Sequence, residues 1–364
     1  MCWPHNALLV RVALVRRKEI ATEPELLSYC WDAVSGSTFQ VSGFEFTNLV
    51  KTTLIGLSLK RSGKGGRHMA EKTYDRTTQD VGNILAMEHV NVTVPDQALA
   101  LQFYVQTLGL TRDPYMMVGT DNMWVNVGEQ QFHLPTRAPQ VLRGLIGLVV
   151  PDLNGLKRRL ERAQPKLSGT SFCCAEENGH VSLTCPWGNQ FRVHAPSPQF
   201  GDMTLGIPYL EFMVEPNSAL GVAQFYKEIM QAPATWTPSK QGAVACVQVG
   251  RSQKLLFRET TSPIPAYDGH HIAIYLANFS APHAFLKERG LVSEESDNHQ
   301  YRFRSITDPD SGRPLCELEH EVRSMFHPMW GRELVNRNAG QNIFAYAHGR
   351  DVFASQGTHV GGRS

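Results

Sequence analysis

Polar and apolar positions alternate along EHVNVTV (residues 88–94). Val90, Val92 and Val94 share one face, and His89, Asn91 and Thr93 share the other. A turn at Pro95-Asp96 follows, and the period then lengthens. Leu99, Phe103 and Leu108 fall near helical spacing, so the pattern predicts a helix that covers the valine face. Leu-Gly-Leu ends it, with Gly109 suited to the C-terminal cap. Strands are predicted near YMMV, MWVNV and QQFHL.

The same order of elements returns three times. At 145, LIGLVVPDLNGLKRRLERA reads as strand, Pro-Asp turn and helix, and FCCAEE, HVSLTCP and GNQFRVHAP supply strands. At 207 comes IPYLEFMVEPNSALGVAQFYKEIMQA, where QFY at 224–226 repeats QFY at 102–104; AVACVQV and KLLFRE follow. At 270 comes HHIAIYLANFSAPHAFLKERGL, with YRFRSIT and PLCELEHEV after it. Four βαβββ units in phase form an internal repeat, and the predicted class is α+β.

Composition narrows the partners. The chain has 364 residues, room for two domains of ordinary size. Lys+Arg (35) nearly balance Asp+Glu (34), which argues against nucleic acid and against an anionic membrane surface. No apolar run reaches the roughly 18 residues of a membrane helix. The seven cysteines contain no CxxC pair, and adjacent Cys173 and Cys174 suit no ordinary disulfide. Reduced thiols and a cytoplasmic setting are expected. Residues 1–84 lack clean periodicity and include the basic run KRSGKGGRH before Met69. Either Met69 is the natural start, or 1–84 is an N-terminal extension.

The segments EHVNVTVPD with QFYVQTLGL, GEQQFHLP, VVPDL with CPWGNQFRV, and TDPDSGRPLCELE resemble modules of the vicinal oxygen chelate superfamily, the glyoxalase, bleomycin-resistance and extradiol dioxygenase group. The resemblance covers about residues 85–322. It implies modules that pair into half-open barrels around a cavity, with a divalent metal held by residues of each module's first and fourth strands. Pairing of consecutive modules is expected, giving domains at 85–200 and 203–322 and a C-terminal extension over 323–364. Part of that extension is expected to pack on a domain or seal a cavity.

Carried onto this chain, the resemblance gives two ligand sets. In the first pair, His89 and His133 match ligand positions, but Leu145 stands where His is usual and Arg192 where Glu is usual. Loss of metal is expected there, and Arg192 is suited to neutralise a carboxylate or phosphate on a ligand. In the second pair, His271 and Glu317 match, with Tyr209 at the remaining position and Glu211 two residues on. Tyr275, Tyr301 and Arg302 are expected to line that cavity, the tyrosines as acids and Arg302 as a substrate contact. The implied function is a metal-dependent enzyme, dioxygenase, lyase or isomerase-like, using Fe, Mn or Zn on a small oxygen-rich or aromatic substrate. The alternative is a metal-free protein that binds and sequesters a small molecule. Four modules satisfy pairing within one chain, so both monomer and homodimer remain open.

Overall fold

The computed structural model describes residues 74–116, 120–240 and 242–337. The expectations for residues 1–73, Met69 among them, lie outside the described residues. The architecture is α+β: four βαβββ modules build two eight-stranded sheets, the arrangement implied by the chelate-superfamily resemblance. Module one holds β1 (Ile84–Asn91), helix α1 (Gln97–Ala100, continuing over Leu101–Thr107), β2 (Thr111–Arg112), β3 (Asn122–Val127) and β4 (Gln130–Pro135). Module two holds β5 (Gly144–Val149), α2 (Leu153–Ala163), β6 (Cys173–Glu177), β7 (His180–Thr184) and β8 (Gln190–His194). Module three holds β9 (Tyr209–Val214), helix α3, β10 (Ala234–Thr237), β11 (Val244–Gln248) and β12 (Lys254–Glu259). Module four holds β13 (His271–Leu276), α4 (Ser280–Glu288), β14 (Val292–Asp297), β15 (Gln300–Thr307) and β16 (Pro314–Ser324). Strands β10 and β14 have no counterpart in the hydrophobic pattern: β14 is almost wholly exposed, and its polar sequence VSEESD shows no apolar face.

The helices begin and end as their local chemistry dictates. Asp96 accepts from the Leu99 amide at 2.9 Å and Asp152 from the Gly155 amide at 2.7 Å, each capping its helix. Gly109, at φ +82°, takes the left-handed conformation after α1. The repeated QFY has a structural meaning. α1 begins as α-helix over Gln97–Ala100 and widens to π-helix over Leu101–Thr107; α3 does the same over Ala219–Gln224 and Phe225–Ile229. In both, the QFY tyrosine, Tyr104 or Tyr226, is fully buried. Tyr226 Oη reaches His320 Nε2 on β16 at 2.7 Å, tying module three to module four.

The order of pairing departs from the expectation. β1 runs antiparallel to β13, with Val90 opposite Ile272, so module one joins module four. β5 runs antiparallel to β9, with Ile146 opposite Leu210, so module two joins module three. The sheets therefore do not divide the chain at 200. Alternation assigns faces but carries no information about the partner strand. Two glycines in β5 help fix that choice. A Cβ on Gly144 would lie 1.8 Å from the Glu211 carbonyl oxygen, and one on Gly147 would lie 2.5 Å from the Tyr209 ring. Consecutive modules still meet, but through their helices. Arg159 of α2 donates to the Thr107 and Leu108 carbonyls at the end of α1, at 3.0 and 3.1 Å. One continuous apolar core joins all four modules on the helix-covered faces.

Gly147→Ala is expected to cost about 1–3 kcal/mol through overpacking against Tyr209. Adding Tyr209→Leu should recover part of that loss. Urea denaturation of the single and double variants checks both the contact and the pairing of modules two and three.

Candidate metal centre

The helix-free faces of the two sheets differ in character. On the second sheet, Leu145, Val149, Phe200, Met203, Tyr209, Val244, Cys246 and Leu256 pack as a separate apolar cluster. On the first sheet the same face gathers imidazoles, carboxylates and guanidiniums. Register explains which residues meet. His89 lies opposite Gln131, and His133, two residues further along β4, lies opposite Asn91. In module four His271 lies opposite Glu319, and Glu321, two further along β16, lies opposite Ala273. Since β1 and β13 are antiparallel about Val90 and Ile272, His89 corresponds to His271 and His133 to Glu321. The corresponding positions of the second sheet are Leu145, Arg192, Tyr209 and Leu256.

One donor atom from each of His89, His133 and His271 lies within 4.8 Å of the other two. Glu321 Oε2 is 3.6 Å from His271 Nε2. Second-layer contacts orient the rings. His89 Nδ1 meets Glu88 Oε2 at 3.1 Å, which places the proton on Nδ1 and leaves Nε2 as the lone-pair nitrogen. His133 Nε2 meets Asn122 Oδ1 at 2.6 Å, which leaves Nδ1 for the centre. Trp124 stacks on His133 at 3.9 Å between ring centroids and stands edge-on to His89 at 5.0 Å. Nε2 of His89 and Nε2 of His271 are buried and have no hydrogen-bond partner. Orphaned, buried, basic nitrogens in a converging set suit a soft-to-borderline divalent cation.

The charges around the imidazoles are paired. Arg302 donates to Glu319 at 2.6 Å and also to Glu321. Arg323 donates to Glu321 Oε1 at 2.6 Å and also to Glu88. Tyr275 Oη donates to Glu88 Oε1 at 3.0 Å. A register shift in β1 between Met87 and His89 brings the consecutive residues Glu88 and His89 into this one network. Glu294 lies 3.6 Å from Arg302 as well, so Glu88, Glu294, Glu319 and Glu321 face the two guanidiniums. Burial holds the imidazoles neutral. Desolvation pulls His89 down to about 3, with Arg323 and Arg302 adding to the fall and Glu321 opposing it. His133 falls to about 2, chiefly through burial and then through His89. His271 is also far below its ordinary value, by burial and by His89. Burial raises Glu88 and Tyr275.

The structure distributes the sequence-derived candidates unevenly. It brings His89, His133 and His271 together across modules one and four, and Arg302 and Tyr275 join them. Glu317, expected beside His271, has a side chain 44% exposed and pairs with Arg304 at 3.1 Å; the corresponding Glu321 is 5% exposed. The two lie on one face of β16, and alternation does not say how far along a strand the centre sits. Glu211 and Tyr209 belong to the other sheet. Glu211 is held by Arg258 through two bonds of 3.0 Å, and Tyr209 Oη meets His194 Nε2 at 2.9 Å. Arg192 is on that sheet as well, opposite Gly147. Tyr301 packs on Phe279 and on His283 of α4, on the helix-covered side and away from the cavity. Glu88, Asn122, Trp124, Glu321 and Arg323 were not foreseen. Continuing the alternation of ELEHEVR as far as Arg323 would have put Glu321 and Arg323 on the Glu317 face.

The chain is thus a four-module, paired-sheet protein with three histidines gathered on one of its two sheets. No family model matches the sequence, and no curated protein does. Similar solved structures include a putative dioxygenase from Bacillus subtilis subsp. subtilis str. 168, at 12% identity over 66% of this chain and 86% of that one, TM-score 0.45. Glyoxalase I from Zea mays is similar at 13% identity over 66% and 92%, TM-score 0.46. A catechol 2,3-dioxygenase is similar at 13% over 66% and 93%, TM-score 0.25. Among the described residues no helix is long and apolar enough to cross a membrane.

The depressed histidines make metal-free stability depend on pH. In the unfolded chain they take up protons near pH 6.5, while folded His89 and the core residue His320 resist until about 3. Their contribution is therefore complete above pH 6.5 and declines as pH falls from there toward 3. The decline is up to about 1.4 kcal/mol per pH unit for each such group. Urea midpoints of chelator-treated protein at pH 7.5, 6 and 5 should follow that slope, and His320→Phe should flatten it.

Proposed function

We propose that this chain is a metal-dependent enzyme of the vicinal oxygen chelate type, acting on a small oxygen-rich or aromatic substrate. His89, His133 and His271 would hold a divalent ion, and Glu321 would complete the set. The observation that carries this reading is the pair of orphaned Nε2 atoms, on buried His89 and His271, in a three-imidazole group completed by half-buried His133. An ion bound there acts as a Lewis acid toward vicinal substrate oxygens and stabilises the negative charge that develops on them. Fe, Mn or Zn all suit imidazole with one carboxylate.

The protein's own groups supply the rest. Glu88 and Asn122 fix the tautomers of His89 and His133, so their free nitrogens face the centre. Trp124 covers the imidazoles and keeps water away from them. Arg302 and Arg323 orient Glu321 by charge-assisted bonds. Tyr275 Oη is held by Glu88, with Arg323 Nη1 at 3.3 Å, and burial keeps its proton in place at neutral pH. Its one O–H is given to Glu88, so its oxygen is suited to accept from a substrate hydroxyl and to relay that proton to Glu88.

A second reading draws on one observation. Glu321 is already answered by two guanidiniums without any metal. On that reading the cavity binds and sequesters a small molecule.

Metal analysis of protein purified without a histidine tag decides between them. About one Fe, Mn or Zn per chain is expected, lost in His271→Ala and in His89→Ala. Protein that holds no ion after incubation with each metal, and whose melting temperature ignores a chelator, would establish the metal-free reading.

A further inference from the structure

Beyond β16 the chain does not leave the first sheet. A turn closes at Ser324–Trp330, with the His327 amide on Ser324 O at 3.0 Å and the Trp330 amide on His327 O at 2.9 Å. The segment then crosses to module one. Trp330 lies against Tyr275, with ring centroids 4.8 Å apart. Asn336 clasps Gly128, taking its amide and donating to its carbonyl at 3.0 Å each, while Asn126 donates to Val335 O at 2.9 Å. Residues 325–336 therefore form a strap from module four back to the far strands of module one.

Beneath the strap lies a cavity of about 250 Å³. Tyr275, Trp330 and Met329 give it an aromatic and apolar wall, and Glu88 and Arg332 are among its polar lining. Glu88 also holds His89, so one side chain separates this cavity from the imidazole centre. Arg332 is anchored through Nη2 to the fully buried Asp113 at 2.8 Å. Its Nε and Nη1 are buried and have no hydrogen-bond partner. The side chain as a whole is 22% exposed, but guanidinium nitrogens buried with unmade bonds are costly unless an acceptor completes them.

We propose that the strap supplies a second substrate subsite, in which Arg332 takes a carboxylate borne by a flat, aromatic body lying against the wall that Tyr275 and Trp330 form. This rests on the metal reading above and narrows its substrate to an aromatic monoanion. Asp113 answers only one edge of the Arg332 guanidinium, which leaves the other edge for a carboxylate. Glu129, also in the lining, is exposed at the rim.

The test uses zinc-loaded full-length protein, with benzoate as the probe and benzamide as its neutral isostere, by calorimetric titration. Benzoate should bind the wild type about ten-fold or more tighter than benzamide. Arg332→Gln should abolish that preference while zinc content stays at the wild-type level. Arg332→Lys keeps a cation beside Asp113 and should restore the preference in part, which excludes simple loss of the strap. Equal binding of both probes by the wild type, or an undiminished preference in Arg332→Gln, overturns the subsite. Zinc measured on the same samples separates the two ideas. Protein that takes up no zinc sinks the metal reading and this subsite with it. Zinc bound without an Arg332-dependent preference sinks the subsite alone.

Discussion

Everything at the centre depends on the antiparallel junction of β1 with β13. That junction sets Val90 against Ile272 and so aligns His89 with His271 about a local two-fold relation. A strand has a side-chain period of two, so a slip of one residue would turn both histidines toward the helices. The valines and isoleucines on the reverse side prevent it. Val90, Val92, Ile272 and Ile274 are all fully buried in the common core. The apolar face thereby fixes the polar one. Burial then keeps the imidazoles neutral, and neutral imidazoles are what a cation needs.

The same architecture without those residues shows what the alternative looks like. In the second sheet the corresponding places hold Leu145, Arg192, Tyr209 and Leu256, and the surface is closed by Phe200, Met203 and their neighbours. The Tyr209 ring occupies the space that Gly147 leaves. One sheet is thus packed shut while its counterpart carries polar groups and a cavity under a strap. The repeated scaffold thus presents two unlike faces: one pair of modules is apolar and closed, the other polar and beside a cavity.

The repeat was legible in the chain because it is written in local patterns. Alternation in EHVNVTV, the capping aspartates Asp96 and Asp152, Gly109 and the doubled QFY each act within a few residues. His89, His133, His271, Arg302 and Tyr275 were legible in position as well, since alternation puts each on the face turned away from the helices. Partner choice was not, because nothing in a strand's pattern names the strand beside it. That one unknown placed His89 and His271 in different cavities and drew Glu211 and Tyr209 toward a centre they do not reach. Position along β16 was the second unknown. Three glutamates, Glu317, Glu319 and Glu321, share its inward face, and only the register against β13 selects among them. Glu88 was hidden because a local irregularity in β1 breaks the alternation where it stands.

The nesting of the sheets has a consequence for how the molecule is made. The inner sheet needs nothing beyond residue 259, whereas β1 waits for β13, and β13 for β16, which ends at residue 324. On a growing polypeptide the inner half has its strands well before the outer half does. During that interval the edge of β1 that β13 will cover stays open to a neighbouring strand on another molecule. Sequence-adjacent helices are available sooner, and the early contact of α2 with the end of α1 gives module one a local shelter until its distant partner emerges.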